Sequence, residues 1–148
     1  MTDPSLEAAV AGLLSFYRDL SPATVPQLRA LARPDMRFRD PFNDLVGIDP
    51  VLVLFAKMFE DLDSIAWDVT GWALDGHKLY LAWHFRAEIR GRGMRLDFPG
   101  MSEVLFDANG LVASHVDHWD AGRYFYEQLP LLGRLLRWLR RRIGMTTA

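Results

Sequence analysis

The hydrophobic period of this chain changes once, from helical to two, just after Asp63. In the second regime Leu79, Leu81, Trp83, Phe85, Ala87 and Ile89 alternate with Tyr80, Ala82, His84, Arg86, Glu88 and Arg90. Successive side chains of a strand point to opposite faces, so this segment belongs in a sheet with one buried face. Turn signals bound its neighbours. Gly76 separates it from a strand opening at Trp67-Asp68-Val69-Thr70, and Gly91-Arg92-Gly93 leads into Met94 to Phe98. Pro99-Gly100 predicts a bulge before Ser102 to Phe106 resumes. Asp107-Ala108-Asn109-Gly110 then turns into a last strand, Leu111 to Trp119, which completes a meander of four long strands.

The earlier half reads as helix. Asp3-Pro4, Ser21-Pro22 and Asp49-Pro50 look like helix starts, since the first residue can cap free N–H groups and proline suits the first helical position. Leu6, Val10, Leu13, Leu14 and Tyr17 predict a helix over about residues 4–20. Val25, Leu28 and Leu31 predict a short one ending before Pro34. Val51, Leu54, Phe55, Met58, Phe59 and Leu62 predict a third. Between the second and third, Met36 to Asp40 alternates as a strand. Asp120 can cap a closing helix, which Pro130 breaks or kinks. The order predicts an α+β fold in which a curved antiparallel sheet forms a cone over N-terminal helices. The 148 residues suit one domain: 1–120 as the fold proper, 121–148 as a C-terminal Arg-rich helical extension.

Composition excludes several functions. Residues 121–148 carry six Arg against Glu127 alone, a net +5, which leaves −7 for residues 1–120. A basic tail on an acidic body is not a nucleic-acid-binding face. The absence of cysteine removes disulfides, thiolate metal sites and cysteine nucleophiles, and four scattered His give no metal-ligand cluster. No metal or cofactor is expected. The longest purely apolar run, Val51 to Ala56, is too short to span a bilayer, and the start lacks a basic signal-peptide region. A cytoplasmic location is the expectation.

The strand pattern also places polar groups inside the cone. Met36, Phe38 and Asp40 share one face of the first strand, so a carboxylate ends an apolar row. In the last strand Leu111, Ala113, His115, Asp117 and Trp119 form one set. Trp83, Phe85 and Trp119, with Phe55 and Phe59 from the third helix, are expected to line a small-molecule pocket around these groups. Burial of a carboxylate there favours a useful base. Structural roles are available too. Asp40 can cap the turn before Pro41, Tyr17 can be a core tyrosine, and His115 with Asp117 can simply rigidify the sheet. His77 and His84 are expected at the surface or an interface.

The element order, Tyr17 in helix one, Phe38-Arg39-Asp40-Pro41, Gly47 before helix three and the terminal His118-Trp119-Asp120 together resemble the nuclear-transport-factor-2-like superfamily. Within it the chain is most similar to the ketosteroid isomerase and polyketide cyclase (SnoaL-like) branches, nearly up to Asp120. The resemblance implies Asp40 as a proton shuttle and Tyr17 as a donor to an enolate oxygen. It puts Ser102 where ketosteroid isomerases carry a second, protonated acid, a family that also illustrates carboxyl pKa tuning in general. Polyketide-cyclase-like members imply a base at Asp117 with His115 alongside, and scytalone-dehydratase-like members pair a buried His with an Asp.

Two functions follow as expectations. One is a cofactor-independent isomerase, cyclase or dehydratase acting on a hydrophobic carbonyl compound of steroid or polyketide size. Its catalytic groups would be Asp40, Tyr17, His115 and Asp117, with Phe55, Phe59, Trp83, Phe85, Ser102 and Trp119 binding substrate. The other is a non-catalytic binding protein for an apolar small molecule or a protein partner. Leu131, Leu132, Leu135, Leu136, Leu139 and Ile143 form an apolar stripe that something must cover. The expected cover is the pocket mouth or a second subunit of a homodimer, to which the outer-face aromatics Trp72 and Tyr80 also point. Contact with anionic lipids through the basic helix is the alternative.

Overall fold

The computed structural model describes residues 4–145. The helix starts differ from the sequence reading at two of the three Pro pairs. Helix α1 spans Pro4–Arg18, and Asp3, its expected cap, lies outside the described residues. Ser21-Pro22 forms a turn instead of a cap: the Ser21 N–H donates to Thr24 Oγ1 at 2.8 Å. A 3-10 turn over Val25–Gln27 follows and passes into the short α2, Leu28–Leu31. Helix α3 spans Ile48–Asp61 and starts after Gly47, so Asp49 lies inside its first turn. Gly47 sits at φ 98°, a conformation that disfavours any side chain, and that fixes where the helix begins.

Six strands form one sheet in the order β2-β1-β6-β5-β4-β3. They are β1 (Ala32–Arg39), β2 (Asp44–Val46), β3 (Leu62–Asp75), β4 (Lys78–Ile89), β5 (Met94–Phe106) and β6 (Val112–His118). The meander β3 to β6 is antiparallel. The short β2 was not foreseen in the sequence; it pairs with the end of β1, Arg37 opposite Val46. Pro34 falls where the β1–β6 register shifts, between Ala32 and Arg37, so its missing N–H costs no ladder bond.

The bulges are not at Pro99-Gly100. Pairing of β4 with β5 runs unbroken from Lys78 opposite Leu105 to Ile89 opposite Met94. Proline is tolerated at 99 because the β6 ladder reaches only to Met101. Gly100 serves a different end: a Cβ there would fall within the Trp83 ring, so glycine lets that indole lie flat against the β5 backbone. Gly100→Ala is expected to destabilise the protein by about 1–3 kcal/mol, the usual cost of overpacking. The smaller Trp83→Leu should relieve that cost in the double variant, and additive losses in urea unfolding would refute the contact.

Real irregularities lie in β3, between Asp63 and Ala66 and between Val69 and Gly71, and at the far end of β5 and β6. Such bulges increase twist and bend long strands. The β5–β6 irregularity corrects the sequence reading of the last strand. Val104 faces His115, but Phe106 faces Val112, which leaves Ala113 as the extra residue. Parity flips there, so Val112, which strict alternation would set on the face opposite His115, is buried together with it.

Inside the curve α1, α2 and α3 pack on the sheet through one core that contains Leu13, Leu28, Met36, Val51, Leu79, Leu81 and Val104. All six inward residues of β4 are buried or half-buried, as the alternation demanded. Burial at about 1.5–3 kcal/mol per large apolar side chain makes this face the main source of stability.

After β6 the chain enters α4, Ala121–Tyr124, capped by Asp120, whose Oδ1 accepts from the Arg123 N–H at 2.9 Å. Pro130 does not kink a helix but stands in the first turn of a new one, α5, Pro130–Ile143. Buried Glu127 ties α5 down. Its Oε1 accepts from Arg140 Nε at 2.7 Å and its Oε2 from Arg140 Nη2 at 3.0 Å, and its carbonyl accepts from Arg137. Hydrogen bonding from Arg140 is the main cause that holds the Glu127 carboxyl below the usual glutamate range, with the charges of Arg140, Arg123 and Arg137 adding to it. A depressed native value means that the clasp contributes fully above the ordinary glutamate range and is lost as pH falls below that range, through the depressed value. The Trp138 indole resonance should therefore report release of α5 over that fall in pH, and at neutral pH in Glu127→Ala. An indole signal unchanged in both would remove the clasp.

Candidate active site

The site begins with a chain of buried hydrogen bonds across the cone. Tyr17, from the last turn of α1, places its hydroxyl 2.8 Å from His115 Nδ1. His115 Nε2 lies 2.7 Å from Asp117 Oδ1, and the same Oδ1 accepts from Ser102 Oγ at 2.5 Å. Ser102 Oγ in turn accepts from the Trp83 indole at 2.8 Å. Tyr17, His115, Ser102 and Trp83 are all buried. Tyr17's rings of contact include Trp67 and His115.

This chain fixes proton positions. The Tyr17 pKa is raised well above its ordinary value, first by burial and then by the charge of Asp117, so its hydroxyl keeps its hydrogen. The Tyr17 hydroxyl can donate to His115 Nδ1, while Nε2 donates to the Asp117 carboxyl. The tautomer is assigned from these partners. Both donors meet Oδ1 of Asp117; among the described residues none meets Oδ2.

Asp117 opens onto a cavity of about 390 Å³ whose wall includes Phe38, Asp40, Phe55, Trp67, Trp83, Phe85, Phe98, Asp117, Trp119 and Phe125. That volume lies in the range of small-molecule sites, about 300–1,000 Å³. Trp119 stacks on Phe98 with centroids 4.1 Å apart. Phe42 meets Trp119 and Phe125 edge-on.

The parallel pairing of β1 with β6 brings the second carboxylate in. Phe38 stands opposite His115 and Arg39 opposite Val116, so the next residues in register, Asp40 just past β1 and Asp117 near the end of β6, come side by side on the cavity wall. Asp40 is also a turn former. Its Oδ1 accepts from the N–H groups of Phe42 and Asn43, each at 2.7 Å, and both oxygens contact Asn43 Nδ2 at 3.0 Å.

Of the residues singled out in the sequence, Asp40, Asp117, Phe55, Trp83, Phe85 and Trp119 thus converge on one cavity. Tyr17, His115 and Ser102 stand behind that wall and reach it through Asp117. Phe59 lies elsewhere, beside Tyr17, Met58 and Trp67 in a separate recess. His77 is exposed, and His84 pairs with Asp97 at 2.5 Å.

Several wall groups escaped the sequence reading, Phe42, Phe125 and Trp67 among them. Phe42 and Phe125 come from loops and connections that carry no periodicity, and Trp67 comes from a bulged strand. The Trp67 Nε1 is buried without a partner among the described residues. A buried donor left unpaired is costly, and its only sequence signal is an indole in a strand that opens the meander.

Comparison with known proteins agrees with this architecture. A protein from Jannaschia sp. CCS1 assigned to the SnoaL-like polyketide cyclases shares 16% identity and a TM-score of 0.69, covering 80% of this chain and 89% of its own. A nuclear-transport-factor-2-like protein of unknown function from Burkholderia pseudomallei gives 14% and 0.69, covering 82% and 95%. An M. tuberculosis epoxide hydrolase of the LEH-like type gives 18% and 0.64, covering 94% and 95%. These identities speak to fold alone. No curated protein sequence matches this one. A model of the SnoaL-like domain matches residues 13–115, from the middle of α1 to the histidine that Tyr17 bonds, and over that span the chain belongs to the SnoaL-like family.

Proposed function

We propose that the protein is a cofactor-independent acid–base enzyme, an isomerase, cyclase or dehydratase, acting on a hydrophobic carbonyl compound held in the cone. The observation that carries this is the buried Tyr17–His115–Asp117 chain, which ends in a carboxylate on an apolar wall. A base held by an orienting partner, itself held by a third group, is the arrangement that proton transfer requires. Asp117 keeps Oδ2 for a substrate C–H, while His115 and Ser102 hold Oδ1. Because Tyr17 cannot ionise, the chain orients Asp117 rather than draining protons from it.

The proton that Asp117 takes up is returned by Asp117 itself to another atom of the same substrate, so the base ends as it began; Asp40, one strand over, is the second carboxylate on that wall and the alternative base. Its Oδ1 is committed to the turn, and Oδ2 is the freer oxygen. Tyr17 is already spent on His115, so the enolate role implied for it passes to another donor.

A carrier function is the second reading, favoured by Ser102, which is wholly buried and bonded to Trp83 and Asp117 where an oxyanion acid would stand. A panel of ketosteroids, polyketides and hydroxyketones incubated in deuterated water separates the two. The enzyme reading expects isotope uptake next to the carbonyl or a changed product. A ligand that raises Tm as RT ln(1 + [L]/Kd) and is recovered unlabelled and unaltered overturns it.

A further inference from the structure

Helix α5 docks the wrong way round for a core helix. Gly133, Arg137 and Arg140 share the face that meets Glu127, and a Cβ at Gly133 would overlap the Glu127 carbonyl. The opposite face is apolar and open to solvent: Leu131 is 81% exposed, Leu135 53%, Trp138 54% and Ile143 83%. No residue of α5 lines the cavity, so the lid expected from the sequence does not form. Among the described residues nothing covers this stripe.

We infer that α5 is a peripheral anchor that lays its apolar face into the headgroup region of an anionic lipid bilayer. At 14 residues it is about 21 Å long, and no described helix is long and apolar enough to cross a membrane. A strongly amphipathic, Arg-flanked helix of low net hydrophobicity is suited to lie in the interface plane. Arg134 and Arg141 flank the stripe and make no ion pair among the described residues, and Arg142 lies over the Trp138 ring at 5.4 Å.

Charge weighs against a second α5 helix as the cover. Residues 128–148 contain no Asp or Glu, so pairing two α5 helices would set arginines against arginines. The body carries a net −7, but several of its carboxylates are already paired within it. Asp44, Asp63, Asp68 and Glu103 already pair with Arg37, Arg90, Arg86 and Lys78. An anionic leaflet supplies apolar depth and negative charge together. Anchoring would hold the cavity, whose wall residue Phe125 stands five positions before α5, close to a phase in which apolar molecules dissolve. The anchor itself stands whether or not the cavity is catalytic.

The test is flotation of the full chain with vesicles of phosphatidylcholine alone or with one-third phosphatidylglycerol, alongside its sedimentation in solution. The full chain should float only with the anionic vesicles and be released as salt is raised. Arg134→Gln with Arg141→Gln should weaken binding about 30-fold, at about a factor of five for each arginine. Leu135→Gln with Leu139→Gln should abolish it while leaving the sedimentation coefficient unchanged. No flotation, or equal flotation with neutral vesicles, overturns the anchor. So does a wild-type dimer that the leucine variant dissociates without any vesicle binding, which would assign the stripe to a second copy.

Discussion

Asp117→Asn is expected to lower turnover by a factor of about 10²–10⁴, the usual contribution of a positioned acid–base group, with little change in Tm. The amide keeps an oxygen that can accept from His115 Nε2 and Ser102 Oγ, so the buried chain survives. What disappears is the basic oxygen on the cavity wall. Asp40→Asn is the matching control, since asparagine also holds turns of this kind. Wild-type turnover in Asp117→Asn, with loss only in Asp40→Asn, would move proton abstraction to Asp40. Isotope uptake from deuterated water under single-turnover conditions measures the step directly.

His115→Leu should cost about 3 kcal/mol of stability, or roughly 6–12 °C in Tm for a domain of this size. Leucine fills similar space but leaves the hydroxyl of Tyr17, a residue only 3% exposed, with no acceptor, and takes one of two donors from Asp117. Tyr17→Phe removes the hydroxyl altogether and should cost less, about 1 kcal/mol. With the hydroxyl gone, the histidine's loss leaves less unsatisfied, so the double variant should fall short of the summed losses by about 1 kcal/mol or more. Full additivity in urea unfolding would mean that Tyr17 and His115 do not act as a unit.

These expectations rest on features of unequal legibility. The alternation of β4 told inside from outside along its whole length, because side-chain direction in a regular strand depends only on position. The same rule failed below His115, where one extra residue at Ala113 reversed the parity, and no residue type there announces a bulge. At Pro99-Gly100 the residue types did suggest one, and the ladder stayed regular because proline fell beyond its neighbour's end.

The candidate site divides along the same line. Asp40, His115 and Asp117 were visible as polar residues at the ends of apolar rows, which is a local property. That Asp40 and Asp117 stand side by side depends on the parallel pairing of β1 with β6, strands more than seventy residues apart. That Tyr17 serves His115 and not the cavity depends on where α1 crosses the sheet. The sequence by itself determined the meander, the inward face of β4 and the amphipathic pattern of α5, since each follows from periodicity within one element. Only the tertiary structure decided which face of α5 meets the body: a single clasp of Glu127 with Arg140, beside a glycine small enough for close approach, turned the leucines outward.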